Sequence, residues 1–169
     1  MRERAGNSHH VGGDFPRLNG RVTAREIEQF LHTKIPLTAG MGVRVESYEA
    51  QELVLTAPLE ANHNHLGTAF GGSLAALLIL AGYGLLWLEL GDAESHIVVR
   101  STSLDYRRPV RGPLRAVCAR PPPETLAAFR ESFARRGKAR IELTAHVEQD
   151  GGIAVTFRGT FVALVGRAS

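Results

Sequence analysis

The sequence contains very little cysteine, with Cys118 the only one among 169 residues. A single cysteine can form neither an internal disulfide nor a cysteine metal cluster, and this usage suits a reducing compartment. Residues 1–22 lack the apolar segment of a secretory signal, so we expect a flexible amino-terminal tail there. We therefore expect a cytoplasmic protein with no metal or other cofactor, whose residues 23–169 form a single domain.

The sequence also lacks an apolar stretch as long as a membrane-spanning helix requires. The longest stretch covers residues 74–88. A helix of about 15 residues rises only about 22 Å, whereas the hydrocarbon core of a bilayer is about 30 Å thick. Because a helix that is apolar on all sides must be surrounded by other elements, we predict a buried core helix.

No helix-turn-helix, zinc ligand set or aromatic RNA-binding strand accompanies the net charge of +3, which argues against a nucleic-acid partner. The basic residues are unevenly distributed and form two groups. They are Arg107, Arg108, Arg111, Arg115 and Arg120, and then Arg135, Arg136, Lys138 and Arg140. These groups are either an ordinary solvated surface or a surface that attracts phosphate groups or an acidic protein.

Hydrophobic periodicity predicts an α+β fold. A capping box at Thr23 and Glu26 begins a short helix that ends near Lys34. Alternating or strand-like segments lie at residues 42–48, 52–57, 96–107, 114–119, 140–147 and 153–157, and residues 121–136 are predicted to form a loop with a short helix. A curved antiparallel sheet of about six strands wrapped around the long apolar helix would bury that helix, which is the architecture of the hotdog fold.

The turn before the apolar helix, NHNHLGTAFGGS at residues 62–73, is the strongest candidate for a functional site. Gly71 and Gly72 allow a ligand to approach the backbone closely, and the helix start offers free N–H groups and a partial positive charge. An anionic oxygen would fit there. His63 and His65 are candidates for a base, but an HxH pair alone is weak evidence for a metal site.

Four stretches carry a resemblance to a known family: PLEANHNHLGTAFGGSL (58–74), SHI (95–97), YRRPVRG (106–112) and GKARIEL (137–143). They resemble the YiiD carboxyl-terminal type of thioesterase domain in the hotdog superfamily, over about residues 30–165. Stand-alone domains proposed as malonyl-acyl-carrier-protein decarboxylases belong to the same group. The resemblance implies an acyl thioester of coenzyme A or acyl carrier protein as substrate. It also implies a homodimer or dimer of dimers, with strand 96–107 joining two sheets and the active sites at the shared interface.

The sequence departs from the pattern NxxGxxHGG that many hotdog thioesterases carry. Asn64 and the glycines match this pattern, but Phe70 replaces the histidine and Ile79 occupies the usual acidic position on the helix. Residues 62–70 contain no carboxylate either. Glu89 would lie about 25 Å from the helix start, which leaves Glu60, Asp105 and the two histidines as alternative sources of an acid or base.

A missing acid favours decarboxylation of a malonyl thioester over hydrolysis, because decarboxylation requires only donors that stabilise an enolate. We expect Asn64 to polarise the thioester carbonyl, because the NxxG spacing and the resemblance coincide there, with Thr68 as a further donor and Asn62 assisting. The expected oxyanion and substrate-binding residues are Gly71, Gly72, Phe70 and Ser73, and the expected phosphate contacts are Arg107, Arg108 and Arg111. Asn62 is alternatively a turn residue, and Thr68 and Ser73 are alternatively helix caps. Acyl-thioester hydrolysis and a noncatalytic acyl-binding module remain the competing functions.

Overall fold

The computed structural model describes residues 22–49, 51–91 and 95–166, so the tail predicted for residues 1–22 lies outside the described residues except for Val22. The helices are α1 (Ala24–Lys34), α2 (Leu37–Gly40), α3 (Gly71–Leu90) and α4 (Pro123–Arg136). The strands are β1 (Arg44–Glu49), β2 (Glu52–Ala57), β3 (Ser95–Tyr106), β4 (Leu114–Ala119), β5 (Lys138–Gln149) and β6 (Gly152–Val165).

The six strands form one antiparallel sheet in the order β1-β2-β4-β5-β6-β3. The predicted alternation along β5 is confirmed, since Ile141 and Leu143 are buried while Arg140 and Glu142 are exposed. Helix α3 packs against the buried face of the sheet. The predicted α+β hotdog architecture is therefore confirmed, with β3 at one edge of the sheet and β1 at the other.

Helix α3 is the centre of the core. Its 20 residues are long and apolar enough to cross a membrane, but 67% of its most apolar window is buried within the protein, as expected of a core helix. Leu77, Leu78 and Leu85 are fully buried. Gly82 leaves room for the ring of Phe161, because an added Cβ would lie only 2.6 Å from that ring. The predicted burial of this helix is confirmed.

Two helices differ from the sequence prediction. Residues 121–136 contain a 14-residue helix, α4, rather than mostly loop. Proline is compatible with the first turn of a helix, whose N–H groups have no intrahelical acceptor, and buried Leu126 and Phe129 attach α4 to the core. The short helix α2, which begins after Pro36, was not predicted because four residues carry no recognisable periodicity.

Cys118 is fully buried, and burial raises the pKa of its thiol to about 12. The thiol therefore stays protonated at neutral pH, whereas the thiolate is the reactive form. We expect iodoacetamide at pH 8 to leave Cys118 unmodified in the native protein and to alkylate it fully in denaturant, as measured by intact mass. Rapid alkylation without denaturant would contradict this burial.

Candidate active site at the start of α3

The turn before α3 is organised around the side chain of Asn64. Its Oδ1 accepts hydrogen bonds from the backbone N–H groups of Leu66 (2.8 Å) and Thr68 (3.3 Å). Its Nδ2 donates to Thr68 Oγ1 (3.0 Å) and, over a longer 3.4 Å, to the carbonyl of Ala69. Gly67 reverses the chain with a φ of +72°. Asn64 thus holds the turn, and its contact to Ala69 is the longest of its four side-chain hydrogen bonds.

Asn62 lies beneath the turn and is 2% exposed. Its side-chain nitrogen donates to the carbonyls of Met41 and Pro58, both at 2.8 Å. Its backbone carbonyl accepts the N–H of Phe70 at 2.7 Å. Because both side-chain hydrogens are engaged, Asn62 is placed to position the turn rather than to donate to a ligand, and its predicted catalytic role stays a prediction.

The N-terminus of α3 presents backbone donors. Phe70 is the N-cap residue, and its side chain makes no capping hydrogen bond. The first helical hydrogen bond runs from the N–H of Leu74 to the carbonyl of Phe70 (3.1 Å). The N–H groups of Gly71, Gly72 and Ser73 therefore precede the helical ladder, at the positively polarised end of a 20-residue helix. This arrangement can bind an oxyanion.

The ring of Phe70 lies over the first turn of α3. A Cβ added to Gly72 would lie 2.3 Å from an edge carbon of that ring, so the ring occupies the space that glycine leaves free. Phe70 is 55% exposed. It therefore gives the donor-rich helix start an apolar wall.

The end of β3 and the segment that follows it are attached to this site at two points. The hydroxyl of Tyr106 donates to the carbonyl of Gly71 at 3.0 Å. Four residues later, the carbonyl of buried Val110 accepts the N–H of Ala69 at 2.8 Å. The sequence analysis did not place Tyr106 at the site. The one sequence feature that could have pointed to it is its position in the YRRPVRG stretch.

The three arginines predicted to contact phosphate groups flank this attached segment and are all exposed. Arg107 forms an ion pair with Asp105 (2.9 Å), and Arg108 donates through Nε to the carbonyl of Ile153 (3.3 Å). Arg111 directly follows the residue that contacts the turn. Arg111 is therefore beside the contact with the turn, whereas Arg107 is held by Asp105 and Arg108 lies against the start of β6. All three are exposed and can attract anionic groups from solvent.

Glu89 cannot supply an acid at the start of α3. It lies one residue from the opposite end of the helix, and its side chain is fully buried. It pairs with Arg120 (2.6 Å) and with Arg130. These pairs connect α3 to α4 and to the end of β4, so Glu89 holds these elements together and takes no part in the candidate site. Glu60 is exposed in the loop before the turn.

Asp105 lies on the opposite face of the sheet from α3. In the register of β3 with β6, Tyr106 pairs with Val155 and Asp105 pairs with the next residue along β6. Val155 is fully buried in the core, so Tyr106 faces the α3 side. Because neighbouring strand residues point to opposite faces, Asp105 points away from the candidate site.

The histidines of the turn are both exposed. Nδ1 of His63 lies 2.9 Å from the carbonyl of Asn64. In the parts of the chain that the structure describes, no cluster of three or more His, Cys, Asp or Glu side chains is arranged to hold a metal ion. His63 and His65 are thus surface groups beside the turn.

Comparisons with known proteins agree with this architecture. The profile of a family described as "Putative thioesterase (yiiD_Cterm)" matches residues 24–165. A Chlorobaculum tepidum TLS protein of unknown function is 36% identical, with a TM-score of 0.79 over 85% of this chain and 94% of that one. A Shewanella oneidensis protein described as a putative thioesterase is 28% identical, with a TM-score of 0.74 over 83% and 96% of the two chains.

A probable thioesterase from Pseudomonas aeruginosa shares the fold at 23% identity, with a TM-score of 0.74 over 85% of this chain and 97% of that one. The family match covers nearly all of the described residues and includes both the turn at 62–70 and helix α3. The resemblance inferred from the sequence motifs is confirmed. The chain belongs to the YiiD carboxyl-terminal family of hotdog-fold, thioesterase-like domains.

Proposed function

We propose that this protein decarboxylates malonyl thioesters to acetyl thioesters at the N-terminus of α3. The observation that carries the proposal is a site with several hydrogen-bond donors and no carboxylate. Asn64 and the amides of Gly71 and Gly72 supply donors. The nearest acid along the helix is Glu89, which is buried in ion pairs. Hydrolysis normally needs a group that activates water or attacks the thioester, whereas decarboxylation does not.

The site fits the charge changes of this reaction. The bond between C2 and the departing carboxylate breaks, its electron pair forms the thioester enolate, CO₂ leaves, and C2 takes a proton from water. The amides at the start of α3 stabilise the negative charge that develops on the thioester oxygen. The apolar ring of Phe70 disfavours a charged carboxylate beside it and so favours the loss of CO₂.

The exposed arginines of the segment that follows β3 support a phosphate-bearing substrate. Arg107, Arg108 and Arg111 are exposed near the segment that contacts the turn. Their charges would attract the phosphates of coenzyme A or the acidic surface of acyl carrier protein. We place this reaction in fatty-acid metabolism in the cytoplasm. The cytoplasm is a reducing compartment, which suits a protein whose single cysteine is a buried free thiol.

Acyl-thioester hydrolysis is the second candidate function, and the family description favours it. It would require His63, His65, Glu60 or a group from another subunit to activate water. A noncatalytic acyl-binding module would use the same donors without turnover.

We further propose that the protein is a homodimer, or a dimer of dimers, built on β3. Among the described strands, β3 pairs only with β6, and its residues 98–103 are exposed on both faces. A long edge with exposed Val98 and Val99, interrupted by one bulge between Val99 and Ser101, can serve as a template for pairing with another strand. Pairing two copies of β3 would join the two sheets, and because Tyr106 at the end of β3 contacts Gly71, the candidate site would lie near the shared edge.

The deciding experiment is mass spectrometry of malonyl-acyl carrier protein and malonyl-coenzyme A after incubation with the purified protein. Conversion to the acetyl thioester, with release of CO₂, is the expected result. Free malonate and thiol would identify a thioesterase instead. Retention of malonyl-acyl carrier protein on the protein without any product would indicate a binding module.

A further inference from the structure

Tyr106 is positioned by backbone contacts that do not depend on a ligand. It is the last residue of β3, and the next N–H, that of Arg107, donates to the carbonyl of Ala154 at 2.9 Å. Its pairing with buried Val155 directs the side chain toward α3. The position of the phenol is therefore fixed by the sheet and not by a flexible loop.

The hydroxyl of Tyr106 lies at the first turn of α3. It is 3.0 Å from the carbonyl oxygen of Gly71, and the ring lies 3.6 Å from the position that a Cβ added to Gly71 would take. The residue is nevertheless 51% exposed. Because the carbonyl of Gly71 also accepts the N–H four residues later in the helix, the phenol is not needed to satisfy it.

We propose that Tyr106 is a catalytic hydrogen-bond donor, whose hydroxyl turns from the Gly71 carbonyl to the thioester oxygen when substrate is bound. This inference rests on the proposed function, because it assumes that a thioester binds at the start of α3. It holds for decarboxylation and for hydrolysis, since both reactions place negative charge on the thioester oxygen. The phenol keeps its proton throughout and strengthens its hydrogen bond as the charge develops.

The test is a comparison of Tyr106→Phe with Tyr83→Phe on the thioester that the wild-type protein turns over. Both substitutions remove one hydroxyl and keep the ring. Tyr83 is a suitable control because it stacks on Phe30, with 6.2 Å between ring centroids, and lies 12 residues along α3 from Gly71, about 18 Å away. We expect kcat to fall about 100-fold in Tyr106→Phe, as is typical for loss of one oxyanion donor, and to change less than about threefold in Tyr83→Phe.

A change in kcat with little change in KM or in the dissociation constant of the acetyl thioester would support a role in the transition state. An unchanged kcat would overturn the inference while leaving the proposed function intact. An equal loss of acetyl-thioester affinity and kcat would also overturn it, because Tyr106 would then only position the helix start. If the wild-type protein turned over no thioester, the proposed function would be wrong. Tyr106 would then have no reaction to catalyse, and the inference would also be wrong.

Discussion

Replacing Asn64 with alanine is expected to reduce turnover of the malonyl thioester at least 100-fold, the effect typical of losing one oxyanion donor. The substitution removes the donor whose long 3.4 Å contact to Ala69 makes it available to a substrate. It also leaves the N–H groups of Leu66 and Thr68 without their side-chain acceptor. We therefore expect the free energy of unfolding to fall as well, by about 1 to 3 kcal/mol. Steady-state kinetics and chemical denaturation measure the two effects.

Asn64→Asp separates the catalytic effect from the structural one. Aspartate keeps an oxygen where Oδ1 accepts the two backbone N–H groups, but it cannot donate at the position of Nδ2. We expect this variant to retain part of the stability that alanine loses, because its second carboxylate oxygen would face the carbonyl oxygen of Ala69, and still to be at least 100-fold slower than wild type. Wild-type turnover in Asn64→Asp would refute a donor role and leave Asn64 as a residue that holds the turn.

The fold was largely predictable because its elements have strong local signals. The alternation in β5 and the uniformly apolar α3 each require a particular environment, and together they leave few arrangements besides a sheet that covers one helix. The length of helix α4 was predicted too short because the three prolines at residues 121–123 are typical of a loop. Its helical character depends on the burial of Leu126 and Phe129, which is a tertiary effect.

The candidate site was only partly predictable. The glycines and the polar turn are contiguous in sequence, so their position at the start of α3 follows from local pattern alone. Tyr106 reaches Gly71 across 35 residues of sequence, and this contact depends on which face of β3 the tyrosine occupies. The same register directs Asp105 away from the site. Because β3 is polar and exposed along much of its length, its sequence does not reveal which face contacts α3.

Val98→Lys is expected to convert the protein from a dimer to a monomer. Val98 is 49% exposed on β3, whose outer edge has no partner among the described strands. In a dimer that pairs β3 with its copy around a twofold axis, each substitution introduces two lysines into the shared sheet. Their like charges repel, and lysine on an edge strand is a natural means of preventing such pairing. Light scattering at micromolar concentration measures the mass, and the malonyl-thioester assay measures the accompanying loss of activity.

Val165→Lys is the matched control for this prediction. Val165 is 54% exposed and lies at the end of β6, a strand with neighbours on both sides, β5 and β3. It therefore undergoes the same change in side chain without placing a charge on the free edge, and we expect it to remain dimeric and active. A monomeric wild-type protein, or a Val98→Lys variant that stays dimeric, would exclude β3 as the interface. A monomeric variant with wild-type activity would instead show that one subunit contains the whole active site.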